Sequence, residues 1–284
     1  MDAMSADDVT DDTGANDGTA SRVGLGPGAT LAYESRGSGI PLVAFHGAYS
    51  SRREVSGFLE PMLAGRSVKR IYVDLPGHGE SRPSGSVESP DDVLDLVDLM
   101  LGAKCPEGPF LLLGHSWGAH FARAVAARHP GRVAGLALIC AFVPGEQKPA
   151  APTVVRDDAV SAALTAAERE EFEGYFVVRT RETLERFRHD VAPAGGDVDA
   201  DTLEKAIDAA PLRVDPDAVV VDAPVLAVSG RNDSWVGWER QEALGHRYPR
   251  ATVVTVADAG HALPHERPEL VAALLGDWLG QIDT

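Results

Sequence analysis

Five residues, Gly114-His115-Ser116-Trp117-Gly118, constrain this chain more than any other stretch. They follow the apolar run Phe110-Leu111-Leu112-Leu113 and precede a helical stretch from Ala119 to His129, so they read as a sharp turn from a buried strand into a helix. Such a turn strains the central serine backbone and leaves no room for side chains two residues away on either side, which accounts for glycine at both flanks. It presents the serine hydroxyl at a helix N-terminus, where backbone N–H groups and the helix dipole favour developing negative charge. Ser116 is therefore the candidate nucleophile.

A serine hydroxyl is a weak nucleophile and needs a base that is itself oriented by an acid. The C-terminal third supplies both. Val225-Leu226-Ala227-Val228-Ser229-Gly230 reads as a buried strand, and Arg231-Asn232-Asp233-Ser234 puts Asp233 in the polar loop at its end. A second strand, Thr252-Val253-Val254-Thr255-Val256, leads through Ala257-Asp258-Ala259-Gly260 to His261. Asp258 competes for the acid's role, but a residue three before the base is better suited to capping its own loop, so Asp233 is preferred. His265 competes for the base's role, but it follows Pro264 just before a helix start and is expected at the surface or pocket rim.

Acyl transfer also needs donors aimed at the oxyanion. The backbone N–H of Trp117 follows the nucleophile and is one. The strand Pro41-Leu42-Val43-Ala44-Phe45 runs into His46-Gly47-Ala48, where Gly47 permits a turn and the N–H of Ala48 is the second candidate. His46 is expected to hydrogen-bond loops beneath the site rather than to react.

These segments, with Asp74-Leu75-Pro76-Gly77-His78-Gly79-Glu80-Ser81 and with Gly260-His261 followed by Glu266-Arg267-Pro268, make the chain resemble the α/β-hydrolase-fold superfamily of the single-domain, cap-bearing kind. The order Ser116, Asp233, His261 is the nucleophile, acid, base order of that superfamily. The resemblance spans roughly residues 29 to 280 and implies a catalytic triad of those three residues, an oxyanion hole from Ala48 and Trp117, and neither cofactor nor metal. Serine at the nucleophile position fits neither epoxide hydrolases nor haloalkane dehalogenases, which use an attacking carboxylate on this fold. A serine hydrolase cleaving a small-molecule ester or related acyl bond is implied. Thioesterase, C–C bond hydrolase and non-catalytic ligand receptor remain open, since a fold does not set its substrate.

The predicted fold class is α/β, a mostly parallel doubly wound sheet with a helical cap insertion. Strands are expected at 29–36, 41–46, 70–74, 110–114, 133–139, 225–229 and 252–256, and helices at 53–64, 91–102, 117–129, 238–247 and 267–281. Residues 22–143 and 223–284 would form the core. The eighty or so residues between the strands flanking 144–222 exceed any simple crossover and read as helices forming the cap, broken at Pro193-Ala194-Gly195-Gly196, a candidate hinge. Its Arg179, Arg181, Arg186 and Arg188 are interleaved with acidic residues and are expected on a solvated face. Residues 1–21 hold six aspartates and no Lys or Arg, so a disordered tail is expected.

The net charge of −17 argues against a nucleic-acid partner. No apolar run approaches the ~20 residues needed to span a bilayer, and no basic-then-apolar signal pattern opens the chain. Two cysteines, Cys105 and Cys140, lack zinc-like spacing and are expected as reduced thiols, so a cytoplasmic protein with a small-molecule substrate is expected.

Overall fold

The computed structural model describes residues 9–11, 17–25, 28–82, 87–145, 149, 151, 153–208 and 211–282. The strands are β1 (Val9–Asp11), β2 (Asp17–Leu25), β3 (Thr30–Arg36), β4 (Ile40–Phe45), β5 (Val68–Val73), β6 (Phe110–His115), β7 (Val133–Ile139), β8 (Arg156–Asp157), β9 (Val178–Arg179), β10 (Val225–Gly230) and β11 (Ala251–Val256). The helices are α1 (Arg52–Met62), α2 (Pro90–Lys104), α3 (Trp117–Arg128), α4 (Ala166–Tyr175), α5 (Arg181–Arg186), α6 (Ala200–Asp208), α7 (Glu239–Glu242), α8 (Leu263–Glu266) and α9 (Pro268–Gly280). Nine strands form one sheet in the order β1-β2-β3-β5-β4-β6-β7-β10-β11. From β5 to β11 every neighbouring pair is parallel, while β1, β2 and β3 join antiparallel at one side.

The sheet is covered on both faces because its central strands are apolar along most of their length, with His115 and Ser229 the buried polar positions. All six residues of β6 and all six of β10 are buried, the pattern of strands packed above and below. The two-residue period then sorts them. Phe110 and Leu112 join the core that includes Val93 of α2 and Phe121 of α3, whereas Leu111 and Leu113 join Phe58 of α1 and Trp278 of α9. All seven expected strands stand within two residues of their expected bounds. The expected helix 238–247 is a short α7 followed by a 3₁₀ turn at Ala243–His246, and 267–281 begins at Pro268, behind the separate turn of α8.

The expected tail differs more. Residues 1–8 and 12–16 lie outside the described residues, but Asp17–Leu25 is a strand paired antiparallel with β3, and Val9–Asp11 pairs with its far end. Composition weighs only what side chains can bury; here pairing supplies backbone hydrogen bonds, and Val23 and Leu25, fully buried, anchor the strand.

Between β7 and β10 the insert contains a 3₁₀ turn at Val160–Ala163, then α4, α5, a π-helical turn at Phe187–Val191, a 3₁₀ turn at Ala192–Ala194, and α6. It is not wholly helical: β8 and β9 form a two-residue parallel pair. Capping boxes at Thr165/Glu168 and Thr180/Thr183 start α4 and α5. Leu164, Phe172, Tyr175, Phe176, Leu184 and Phe187 make a small core closed by Ala262 of the sheet domain. Backbone bonds fasten the insert to the Asp74–Ser81 loop, with Gly79 N–H donating to Asp197 (2.7 Å) and Asp199 N–H to Gly77 (2.8 Å).

Candidate active site

Ser116 sits at the C-terminal end of β6 with φ 53° and ψ −121°, a left-handed conformation rare outside glycine. The glycine requirement read from sequence is met in the geometry. A Cβ on Gly114 would fall 2.3 Å from Ala119 Cα, and one on Gly118 would fall 2.4 Å from the His46 carbonyl oxygen. The strained turn is held by its backbone: Ser116 N–H donates to Ile139 (2.9 Å), and its carbonyl accepts from Ala119 and Phe142 (3.0 Å each).

Asp233 and His261, from the loops after β10 and β11, meet Ser116 at this sheet edge. His261 Nε2 lies 3.0 Å from Ser116 Oγ, and His261 Nδ1 lies 2.8 Å from Asp233 Oδ2. The other Asp233 oxygen accepts the N–H groups of Trp235 and Val236, each at 3.0 Å, so both carboxylate oxygens are occupied in a fixed orientation. Asp258 points elsewhere; it is exposed and pairs with Arg267. The Trp235 ring stacks on His261 at 5.2 Å and 15°, and Tyr175 meets the same imidazole edge-on at 5.8 Å.

The loop after β4 runs against the serine, since a Cβ on Gly47 would lie 3.1 Å from Ser116 Cβ. His46 beneath it is fully buried, accepts Leu75 N–H on Nε2 (2.9 Å) and has Nδ1 2.7 Å from the Gly47 carbonyl oxygen. Burial and the nearby His78 hold its pKa well below the ordinary imidazole value, so it is a neutral strut between loops. Among the described residues, neither Ala48 N–H nor Trp117 N–H has a protein acceptor.

Two cavities flank Ser116. One, of about 310 Å³, is bordered by Trp117, His120, Phe142, Ile207, Leu212 and Val236; the other, of about 410 Å³, by Glu54, Glu170, Glu171, Tyr175, Phe187 and His261. Ala48, Tyr49, Ser116 and Trp235 border both. Tyr175, Phe187 and Ile207 of the insert reach these walls, while Leu203 joins the main core. Gly195 and Gly196 border the second cavity, and neither has a positive φ. None of Arg179, Arg181, Arg186 and Arg188 lines either cavity.

His265 corrects an expectation. It is 1 % exposed, and its Nε2 lies 3.3 Å from Glu54 Oε1. Glu54, on α1, also accepts from Tyr175 (2.7 Å) and Ser50 (2.5 Å). Burial raises the Glu54 carboxyl, but bonds from His265 and Ser50 and the charge of His115 outweigh it and hold its pKa well below the usual carboxylate range. Glu54 and His120 were not singled out from the sequence, and Glu266 only as part of the segment after His261. Glu266 accepts the N–H groups of Val177, Val178 and Gly260 at 2.7–3.0 Å, tying β9 to the His261 loop.

Among the described residues, Cys140, Asp233 and His261 form the one grouping compact enough to hold a metal ion. Burial raises the Cys140 thiol well above its ordinary pKa, leaving it a neutral and poor ligand, and Asp233 and His261 are bonded to each other. No described helix is long and apolar enough to cross a membrane.

The sequence and the fold have parallels. The chain is 29% identical over 259 residues to a pimeloyl-[acyl-carrier protein] methyl ester esterase from Chromobacterium violaceum, covering 86% of this chain and 96% of that one. A Neisseria meningitidis protein of the same name is 29% identical over 221 residues, 73% of this chain and 81% of its own. The fold matches an α/β superfamily hydrolase from Oenococcus oeni at TM-score 0.83, with 22% identity over 89% of this chain and 97% of that chain. Residues 42–274 match the alpha/beta hydrolase family, and the chain belongs to that family.

Proposed function

We propose that the chain is a serine hydrolase that cleaves a small-molecule ester through an acyl-enzyme on Ser116. One observation carries the reading: the buried relay in which Ser116 Oγ, His261 and Asp233 are linked at 3.0 and 2.8 Å. His261 takes the hydroxyl proton as Ser116 attacks the ester carbonyl, and Asp233 holds the tautomer that leaves Nε2 free to accept it. The N–H groups of Ala48 and Trp117 receive the developing oxyanion. His261 then returns the proton to the leaving alcohol, and water repeats the sequence to release the acid. The esterase names of the curated relatives that match over most of this chain support an ester over an amide or C–C bond. The insert is the proposed cap, its Tyr175 and Ile207 walling the site.

A fluorophosphonate probe and a panel of p-nitrophenyl esters, lactones and acyl thioesters test this. Labelling confined to Ser116, with ester turnover lost in Ser116→Ala, is expected. Absence of labelling in folded protein favours a ligand receptor, and faster thioester than ester turnover favours a thioesterase.

A further inference from the structure

The two cavities differ in chemistry, and the proton path orients a substrate across them. After attack, His261 must protonate the leaving oxygen, so the leaving group occupies the side that His261 borders. That is the second cavity, with Glu54, Glu170 and Glu171. The acyl group then falls into the first, beyond Trp117, where Phe142, Pro144, Ala206, Ile207, Leu212 and Val236 give an almost wholly apolar wall.

Among the described residues, His120 is the one titratable side chain in that wall beyond Tyr49 and Ser116, which border both cavities. It stands four residues after Ser116 on α3, one turn along the same face and about 6 Å up the helix. The residue is 7 % exposed, and its ring is held edge-on between Phe121 (5.7 Å) and Phe142 (5.8 Å). Nδ1 is sealed off without a partner, whereas Nε2 is not sealed off and also lacks a protein partner among the described residues, and the side chain borders the first cavity. Burial, with Arg123 nearby, lowers its pKa to about 4, so the ring is neutral near pH 7 and carries one proton. No acceptor reaches Nδ1, so the proton belongs on Nε2, where a ligand can accept it. An all-alkyl acyl group would displace water from this donor and give nothing back. A buried donor left unmade discriminates more strongly than a lost apolar contact.

We propose that the first cavity is the acyl site and that His120 selects, by a hydrogen bond from Nε2, uncharged acyl groups bearing an oxygen acceptor about two to four atoms beyond the carbonyl carbon. The inference rests on the serine hydrolase reading and adds a specificity-determining residue to it.

The test compares p-nitrophenyl 3-methoxypropanoate with p-nitrophenyl pentanoate, which match in chain length. Each kcat/KM is divided by the ester's rate with hydroxide, and enzyme is counted as Ser116 labelled by fluorophosphonate, so misfolded protein does not enter. Wild type favours the methoxy ester by about fivefold to tenfold. His120→Phe and His120→Leu, which remove the donor, bring the ratio to one or below, and His120→Gln, which keeps an N–H donor, retains a ratio above one. A wild-type ratio of one or below, or an unchanged ratio in the Phe and Leu variants, overturns the role of His120. Labelled enzyme that turns over neither ester overturns the assignment of the acyl cavity. Protein that resists the probe and turns over neither ester overturns the hydrolase reading instead.

Discussion

Deleting the Ser116 hydroxyl is expected to lower kcat by about 10⁴-fold or more, and His261→Ala to reach a similar floor, because nucleophile and base act as a unit and their losses do not add. Steady-state kinetics on the best ester check this; a variant keeping a tenth of wild-type kcat sinks the assignment. Asp233→Asn preserves shape but favours the wrong imidazole tautomer, for a loss of roughly 10³ to 10⁴. Asp258→Asn removes only the surface pair with Arg267 and should stay within about twofold of wild type. These residues were legible because each ends a short apolar run, where strand and loop can be told apart by letter. Glu54 and His120 were not, since each is a single polar letter within a helix and only tertiary packing decides that it faces inward. The four-residue step from Ser116 to His120 was the one available signal, and it reads the same for any residue one turn along a helix.

At the level of elements, the strand-to-helix turn and the insert place opposite demands on glycine. Gly114→Ala drives a methyl into the α3 backbone at 2.3 Å and should cost about 3 kcal/mol or more, because backbone on both sides cannot yield. Gly196→Ala adds a methyl in open space without a positive φ and should change stability by less than about 0.5 kcal/mol; denaturant midpoints measure both. If Gly196→Ala also leaves kcat unchanged, the hinge read from the Pro193–Gly196 break has no role. The break itself was visible, but the freedom inferred from two adjacent glycines was not evidence of its use. The insert's attachment was illegible for a different reason: Tyr175 reaches Glu54 across 121 positions of sequence. The Glu54 carboxyl has a depressed pKa in the folded protein. Its contribution is therefore present above the unfolded carboxyl pKa of about 4.3 and is lost as pH falls below that value. The stability gap between wild type and Glu54→Gln should be widest near pH 7 and shrink below about pH 4. A gap unchanged with pH would assign the effect to shape rather than charge.

Across the whole molecule, 43 acidic against 26 basic residues leave a net charge of −17, and the distribution around Ser116 reinforces it. Among the described residues, the second cavity is bordered by Glu54, Glu170 and Glu171 and by no lysine or arginine, while the insert's Arg179 and Arg181 are taken up by Glu173 and Glu185. An anionic leaving group must therefore approach against both the long-range field and the local carboxylates. Exposed charges are screened over about 10 Å at 0.1 M salt, so the long-range part of that barrier is a salt-dependent term in the encounter rate. Two esters of one acid, with a neutral and a sulfonated alcohol, separate the effect from chemistry. Raising salt from about 20 to about 200 mM should increase kcat/KM for the sulfonated ester by roughly twofold to tenfold and leave the neutral ester unchanged. A sulfonated ester turned over faster at low salt would mean that cationic side chains beyond the cavity walls outweigh the carboxylates. The leaving group would then be anionic, and the charge balance of the whole chain would say nothing about what its site accepts.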